Sequence, residues 1–199
     1  MAINVYFVRH GQTYLNLYNR MQGWADGPLT PKGEEDAKRV GRALAPIQFD
    51  YVFCSDLART VSTTRFLLAE HPDNNPTPIP EPAFREEFFG YFEGEDGQHF
   101  ADFLGGPDGY HSFAEMVAGP DKLKDKIAAA DNYGTAEDHV AFWKRVDKGF
   151  DRLRALPDGS EVLVVSHGAT IRSIVQRYSD AYDPGDSPRN GSITKLTLD

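Results

Sequence analysis

Short apolar runs alternate along this chain with stretches whose apolar residues recur at helical spacing. Residues 3 to 8 (Ile-Asn-Val-Tyr-Phe-Val) are β-branched or aromatic at most positions, as are residues 51–54 and 161–165. Each run fits a short buried strand. Between the first two, Ala37, Val40, Gly41 and Leu44 line one helical face behind Thr30-Pro31, an N-cap followed by proline at the first helical position, and Pro46 lies just past the end. Ser55-Asp56 reads as the cap of a helix carrying Leu57 to Leu68. Val140, Trp143, Val146, Phe150, Leu153 and Leu156 mark a long amphipathic helix that Pro157-Asp158-Gly159 stops. Ile171, Ile174 and Val175 mark another, and Ser192 to Leu198 alternates as a closing edge strand. Strand and helix in alternation predict an α/β fold, a three-layer sandwich with a mainly parallel central sheet flanked by helices.

Three stretches depart from this rhythm. Asn16 to Thr30 is a polar loop, and His71 to Pro82, with five prolines, is a turn or surface loop too short to link domains. Residues 95–138 break into short helical pieces at glycine-containing turns, which predicts an inserted, mostly helical flap over one end of the sheet. A length of 199 residues suits one domain, 1–199, rather than two.

Two of the strand-like runs end alike. The first leads into Arg9-His10-Gly11-Gln12-Thr13, the last into Ser166-His167-Gly168-Ala169-Thr170. If both runs are parallel strands of one sheet, both histidines emerge at its carboxyl edge, where open α/β sheets hold ligands. Arg9, His10, Ser55, Arg59 and His167 would then gather as a compact cationic cluster. Guanidinium forks match phosphate oxygens, backbone N–H groups at the following helix starts add to the attraction for an anion, and a neutral imidazole nitrogen can attack phosphorus. Arg85-Glu86-Glu87-Phe88-Phe89-Gly90 supplies two carboxylates among aromatics, where burial can raise a pKa enough for acid work near neutrality.

Composition narrows the partners. With 21 basic against 30 acidic residues the formal charge is −9, which disfavours a nucleic-acid partner and requires any anion site to be locally positive. Cys54 is the only cysteine, so no intrachain disulfide forms, and a small buried hydrophobe is the better reading of it. No signal peptide or membrane-length apolar run is found, which points to a cytoplasmic protein without a membrane partner. In that setting the Asn190-Gly191-Ser192 glycosylation pattern is a chance match. His71, His99, His111 and His139 lack metal-ligand spacing and read as surface or loop residues. The signatures of serine hydrolases, P-loop nucleotidases and dinucleotide enzymes are missing.

Arg9-His10-Gly11 with Thr13 and Asn16 resembles the opening motif of the histidine phosphatase superfamily, which includes the phosphoglycerate mutases. Four further blocks resemble that family in its own order: Gly23, Asp26, Pro28-Leu29-Thr30 and Gly33; Ser55-Asp56-Leu57-x-Arg59-Thr60; Arg85-Glu86 through Gly90 with Phe92-Glu93-Gly94; and Ser166-His167-Gly168. The resemblance implies that His10 becomes phosphohistidine, that Arg9, Arg59 and His167 hold the transferring phosphoryl group, and that Glu86 is the general acid and base, with Glu87 as the alternative. Asn16, Thr13 and Gly168 are further phosphate or substrate contacts. No metal or organic cofactor is implied for hydrolysis. The chain departs from the pattern at Gln12, at Phe92 and in Thr60-Val61-Ser62-Thr63-Thr64, which bears on substrate choice rather than on the core set.

The expectation is a phosphomonoester phosphatase acting on a small phosphorylated molecule. A phosphoglycerate mutase is the runner-up, set behind because the chain closes on a strand at Asp199 without a longer tail to seal the pocket. A non-catalytic phosphate-binding module is the reading from another class. The aromatics of residues 84–113 fit either core and flap packing or a pocket for an apolar leaving group. Neither the physiological substrate nor the oligomeric state is encoded in these motifs.

Overall fold

The computed structural model describes residues 2–72, 74–118, 123–179 and 188–199. Among them, five strands form one sheet in the order β3-β2-β4-β1-β5. These are β1 (Ile3–Arg9), β2 (Tyr51–Cys54), β3 (Ile79–Pro80), β4 (Glu161–Ser166) and β5 (Ile193–Leu198). β4 runs parallel to both β1 and β2, and β3 is parallel to β2; β5 alone is antiparallel, against β1. Arg9 is registered against Ser166, so the two strands stop side by side and the next residues are His10 and His167.

Side-chain alternation along the strands builds two cores, one on each sheet face. Val5, Phe7, Val162 and Val164 pack on Phe142, Val146, Phe150 and Leu153 of α7 (His139–Arg154) and on Ile171 and Ile174 of α8 (Gly168–Tyr178). Their alternates Tyr6, Val8, Leu163 and Val165 pack on Val40 and Leu44 of α2 (Pro31–Leu44) and Leu67 of α3 (Ala58–Ala69). This is the expected three-layer sandwich.

The stretch from 95 to 138 carries α4 (Gly97–Gly105), α5 (Phe113–Ala118) and α6 (Leu123–Ala130). Phe89, Phe92, Phe100, Leu104, Met116 and Ile127 form a third, smaller core there, so most of the aromatics in this region are packing residues. Tyr91 and Phe103 are exposed.

Two local expectations are corrected. α3 begins at Ala58 with Leu57 as its cap residue and no capping bond from its own side chain; the carboxylate of Asp26 instead takes the first N–H groups, of Ala58 and Arg59. His71 is buried rather than on the surface: its Nε2 lies 3.1 Å and 2.9 Å from the carbonyls of Leu44 and Ile47 just past α2. The polar loop after β1 also holds a short helix, α1 (Tyr14–Leu17), closed by a capping box between Thr13 and Asn16.

The loop after β1 is pinned where two glycines meet. A Cβ on Gly33 would stand 2.1 Å from the carbonyl oxygen of Gln12, and one on Gly11 would stand 2.2 Å from that of Gly33. Gly33→Ala adds at most about 1 kcal/mol of helix propensity. The clash outweighs it, and a net destabilisation of about 1–3 kcal/mol is expected in urea unfolding.

Candidate active site

His10 is buried, and its Nδ1 lies 2.8 Å from the carbonyl oxygen of Gly11. A carbonyl only accepts, so Nδ1 carries the proton and Nε2 keeps its lone pair. Arg59 Nε donates to that Nε2 at 3.3 Å. The same guanidinium reaches the second histidine, with Nη2 3.0 Å from His167 Nδ1. Arginine cannot accept, so His167 carries its proton on Nε2 and donates it to Ser55 Oγ at 2.8 Å. The two imidazoles stand 5.2 Å apart, centroid to centroid.

Arg59 is 1% exposed. Beyond the two imidazoles it donates to the carbonyls of Gly23 (2.6 Å) and Ala25 (3.0 Å) and to Asp26 Oδ1 (3.1 Å). Those carbonyls are held in turn by Glu93, whose carboxylate accepts from the backbone N–H groups of Gly23, Trp24 and Ala25 at 2.8–3.1 Å. Arg9 places Nη1 2.6 Å from the Pro188 carbonyl, while its Nε is buried without a partner. Gly168 lies against this guanidinium, where a Cβ would be 3.1 Å from it.

Glu86 is buried at the start of α8. Its Oε2 accepts from Ala169 N (2.9 Å), and its Oε1 from Thr170 N (2.9 Å), Thr170 Oγ1 (3.0 Å) and its neighbour Glu87 N (3.0 Å). Backbone N–H groups expected to draw an external anion thus serve the protein's own carboxylates: Glu86 at α8 and Asp26 at α3. Glu87 faces other company. It pairs with Lys124 at 3.2 Å, and burial raises its carboxyl above the ordinary glutamate range.

A cavity of about 460 Å³ opens beside this cluster, lined by Arg9, Asn16, Gln22, Glu86, Phe89, Gly168, Arg172 and Asn190 among others; the buried His10, Arg59 and His167 lie behind that lining, and Glu87 does not line it either. Arg9, Arg20 and Arg172 against the single carboxylate of Glu86 make its wall positive in a chain of charge −9. Asn16 faces the cavity, but Thr13 is fully buried with its hydroxyl donating to Gln22 Oε1 at 2.7 Å. Asn16 Nδ2 donates to the same oxygen, which turns the amide nitrogen of Gln22 away, buried and unpartnered. Gln22 carried no local signal as a site residue. Asn190 Nδ2, the nitrogen a glycan would occupy, donates to the His10 carbonyl and to Asn16 Oδ1.

The comparisons with known proteins agree with this geometry. Residues 5–199 match the family model of the histidine phosphatase superfamily (branch 1). The chain belongs to the histidine phosphatase superfamily. It is 31% identical over 178 residues to a 2,3-bisphosphoglycerate-dependent phosphoglycerate mutase of Gloeobacter violaceus, covering 88% of this chain and 74% of the relative. It is 33% identical over 175 residues to the adenosylcobalamin/alpha-ribazole phosphatase of Salmonella typhimurium, covering 88% and 79%. The crystal structure of phosphoglycerate mutase from Bacillus anthracis superposes with a TM-score of 0.90 at 33% identity, over 99% of this chain and 88% of that one. This superfamily member is therefore an enzyme with both phosphatase and mutase relatives. Among its described residues no helix is long and apolar enough to cross a membrane, and no three His, Cys, Asp or Glu side chains form a metal-ligating group.

Burial, reinforced by the charges of Arg59 and Arg9, holds both imidazoles neutral in the folded chain, well below the ordinary value of 6.5. The unfolded chain takes up these protons below about pH 6.5, so folding stability is full above that pH and falls as pH drops beneath it. Replacing both histidines by asparagine should flatten this acid limb by up to about 2.7 kcal/mol per pH unit, read from urea unfolding between pH 7 and 5. An unchanged slope would mean that the folded imidazoles also take up protons.

Proposed function

We propose that this enzyme hydrolyses phosphomonoesters through a phosphohistidine on His10. The observation that carries the reading is the buried imidazole pair joined by Arg59, with Glu86 lining a positive cleft beside it. The phosphoryl oxygens of a substrate take the donors of Arg9 and Arg59, which releases the Nε2 lone pair of His10 from Arg59 Nε. Nε2 attacks phosphorus, the bond to the ester oxygen breaks, and the leaving oxygen takes a proton from Glu86. Oε2, with one hydrogen bond against three on Oε1, is the oxygen with room to carry that proton. Water then attacks the phosphohistidine, gives its proton to Glu86 and restores neutral His10. The charge that develops on the phosphoryl oxygens is met by guanidinium groups already in place.

Water access favours hydrolysis. Asn19, Arg20, Gln98 and Ala114, which line the cleft with Glu86, are exposed, so the cleft is open to solvent on that side. The mutase reading rests on the Bacillus anthracis likeness and is tested in the same assay.

The assay follows phosphate release and isomer formation from a phosphomonoester panel that includes 3-phosphoglycerate, with and without bisphosphoglycerate. Wild type is expected to release phosphate, His10→Ala to release none, and Glu86→Gln to lose about 10²–10⁴-fold in kcat. A fully active His10→Ala enzyme would sink the proposal. Rapid isomerisation dependent on bisphosphoglycerate would make the enzyme a mutase, and inert wild-type protein that still binds vanadate would make it a binding module.

A further inference from the structure

The peptide between His10 and Gly11 is held at both ends by side chains from remote parts of the chain. Its carbonyl oxygen accepts from Asn190 Nδ2 at 2.9 Å, and its N–H donates to Thr63 Oγ1 at 3.0 Å. Neither contact is interchangeable with another. Thr63, fully buried in α3, gives its single hydroxyl proton to the Arg59 carbonyl at 2.7 Å, so its oxygen is left to accept. Asn190 faces two acceptors, the His10 carbonyl and Asn16 Oδ1 at 3.2 Å, and only the NH₂ side of its amide satisfies both.

The segment carrying Asn190 is itself anchored to this strand end. Gly191 N donates to the Arg9 carbonyl, Arg9 N donates to the Ser192 carbonyl, and Arg9 Nη1 donates to the Pro188 carbonyl. On the α2 side the Gly11–Gly33 contact closes the remaining direction.

This peptide is the lever on which the imidazole is set. The carbonyl that holds His10 Nδ1 belongs to Gly11, one peptide further on. Rotation of the His10–Gly11 plane would move that carbonyl off Nδ1 and free the ring to change tautomer or pitch. We propose that Asn190 and Thr63 are positioning residues that clamp the His10–Gly11 peptide from opposite sides, and so fix the Nδ1–H form of His10 with Nε2 facing Arg59. The clamp as a device for reaction rests on the nucleophile reading of His10; as a device for setting the tautomer it does not.

The test uses Thr63→Val, Thr63→Ser, Asn190→Ala, Asn190→Asp and the Thr63→Val/Asn190→Ala double variant of the whole chain. Nitrogen-15 shifts of the His10 ring report the tautomer directly, and steady-state kinetics report kcat and KM. Thr63→Val and Asn190→Ala should each mix the tautomers and lower kcat about tenfold to 100-fold with KM within about twofold, since small misplacements of a reacting group cost this much. Thr63→Ser, which keeps the hydroxyl, should restore both readouts, and Asn190→Asp, which keeps the shape but loses the donor, should not. The double variant should fall short of the product of the single losses, because both contacts hold one peptide. Wild-type ring shifts in every folded variant would overturn the clamp, as would a loss expressed only in KM. Should His10→Ala prove fully active, the nucleophile reading falls while the ring shifts still decide whether the clamp exists.

Discussion

The site depends on one buried charge. Taking a guanidinium out of water costs several kcal/mol even after relaxation, and Arg59 is almost wholly out of water. Three groups of acceptors offset that cost: the Asp26 carboxylate, the carbonyls of Gly23 and Ala25, and the two imidazole nitrogens. Hydrogen bonds to a charged group are worth about 1.5–3 kcal/mol each, so the set can carry the charge only while nearly all of it is made. Remote elements are thereby tied into one requirement. α3 delivers the guanidinium, the loop before α2 delivers the carbonyls and the carboxylate, and the ends of β1 and β4 deliver the imidazoles.

The same charge sets the protonation of its neighbours. Two imidazoles 5.2 Å apart beside Arg59 and Arg9 cannot both be cationic at reasonable cost. They resolve this as neutral rings whose tautomers are imposed from outside, His10 by the Gly11 carbonyl and His167 by the Arg59 guanidinium. The site is thus preorganised for an anion: its cations are fixed and its would-be nucleophile is neutral. Arg9 Nε and Gln22 Nε2, on two residues that line the cleft, are buried donors without a partner.

The layered fold was legible in the sequence because it is written in local periodicity. The runs at 3–8, 51–54 and 161–165 became β1, β2 and β4, and the helical stripes became α2, α3, α7 and α8. The gathering of Arg9, His10, Arg59, Glu86 and His167 was legible for a different reason, since each belongs to an ordered block and all but Glu86, which lies in a loop, sit at a strand end or helix start. What stayed hidden is whatever depends on partners distant in the chain. Asp26 takes the cap of α3 from a position 32 residues before it, and His71 is buried only because two carbonyls beyond α2 come to meet it. In sequence Glu86 and Glu87 are two adjacent carboxylates among aromatics; the fold separates them, setting Glu86 on the first N–H groups of α8 and Glu87 against Lys124, where burial raises its carboxyl.

Glu93 and Asn190 show how much of such a site lies outside its reacting groups. Neither contacts the imidazole rings, but one holds the loop that holds Arg59, and the other holds the peptide that carries His10. Both work largely through backbone atoms, whose identity the sequence does not record; Glu93 falls within the acid-bearing block, while Asn190 lies in none of the five. The Asn190-Gly191-Ser192 glycosylation pattern, read from the sequence as a chance match, holds an amide nitrogen that makes two hydrogen bonds beside the cleft.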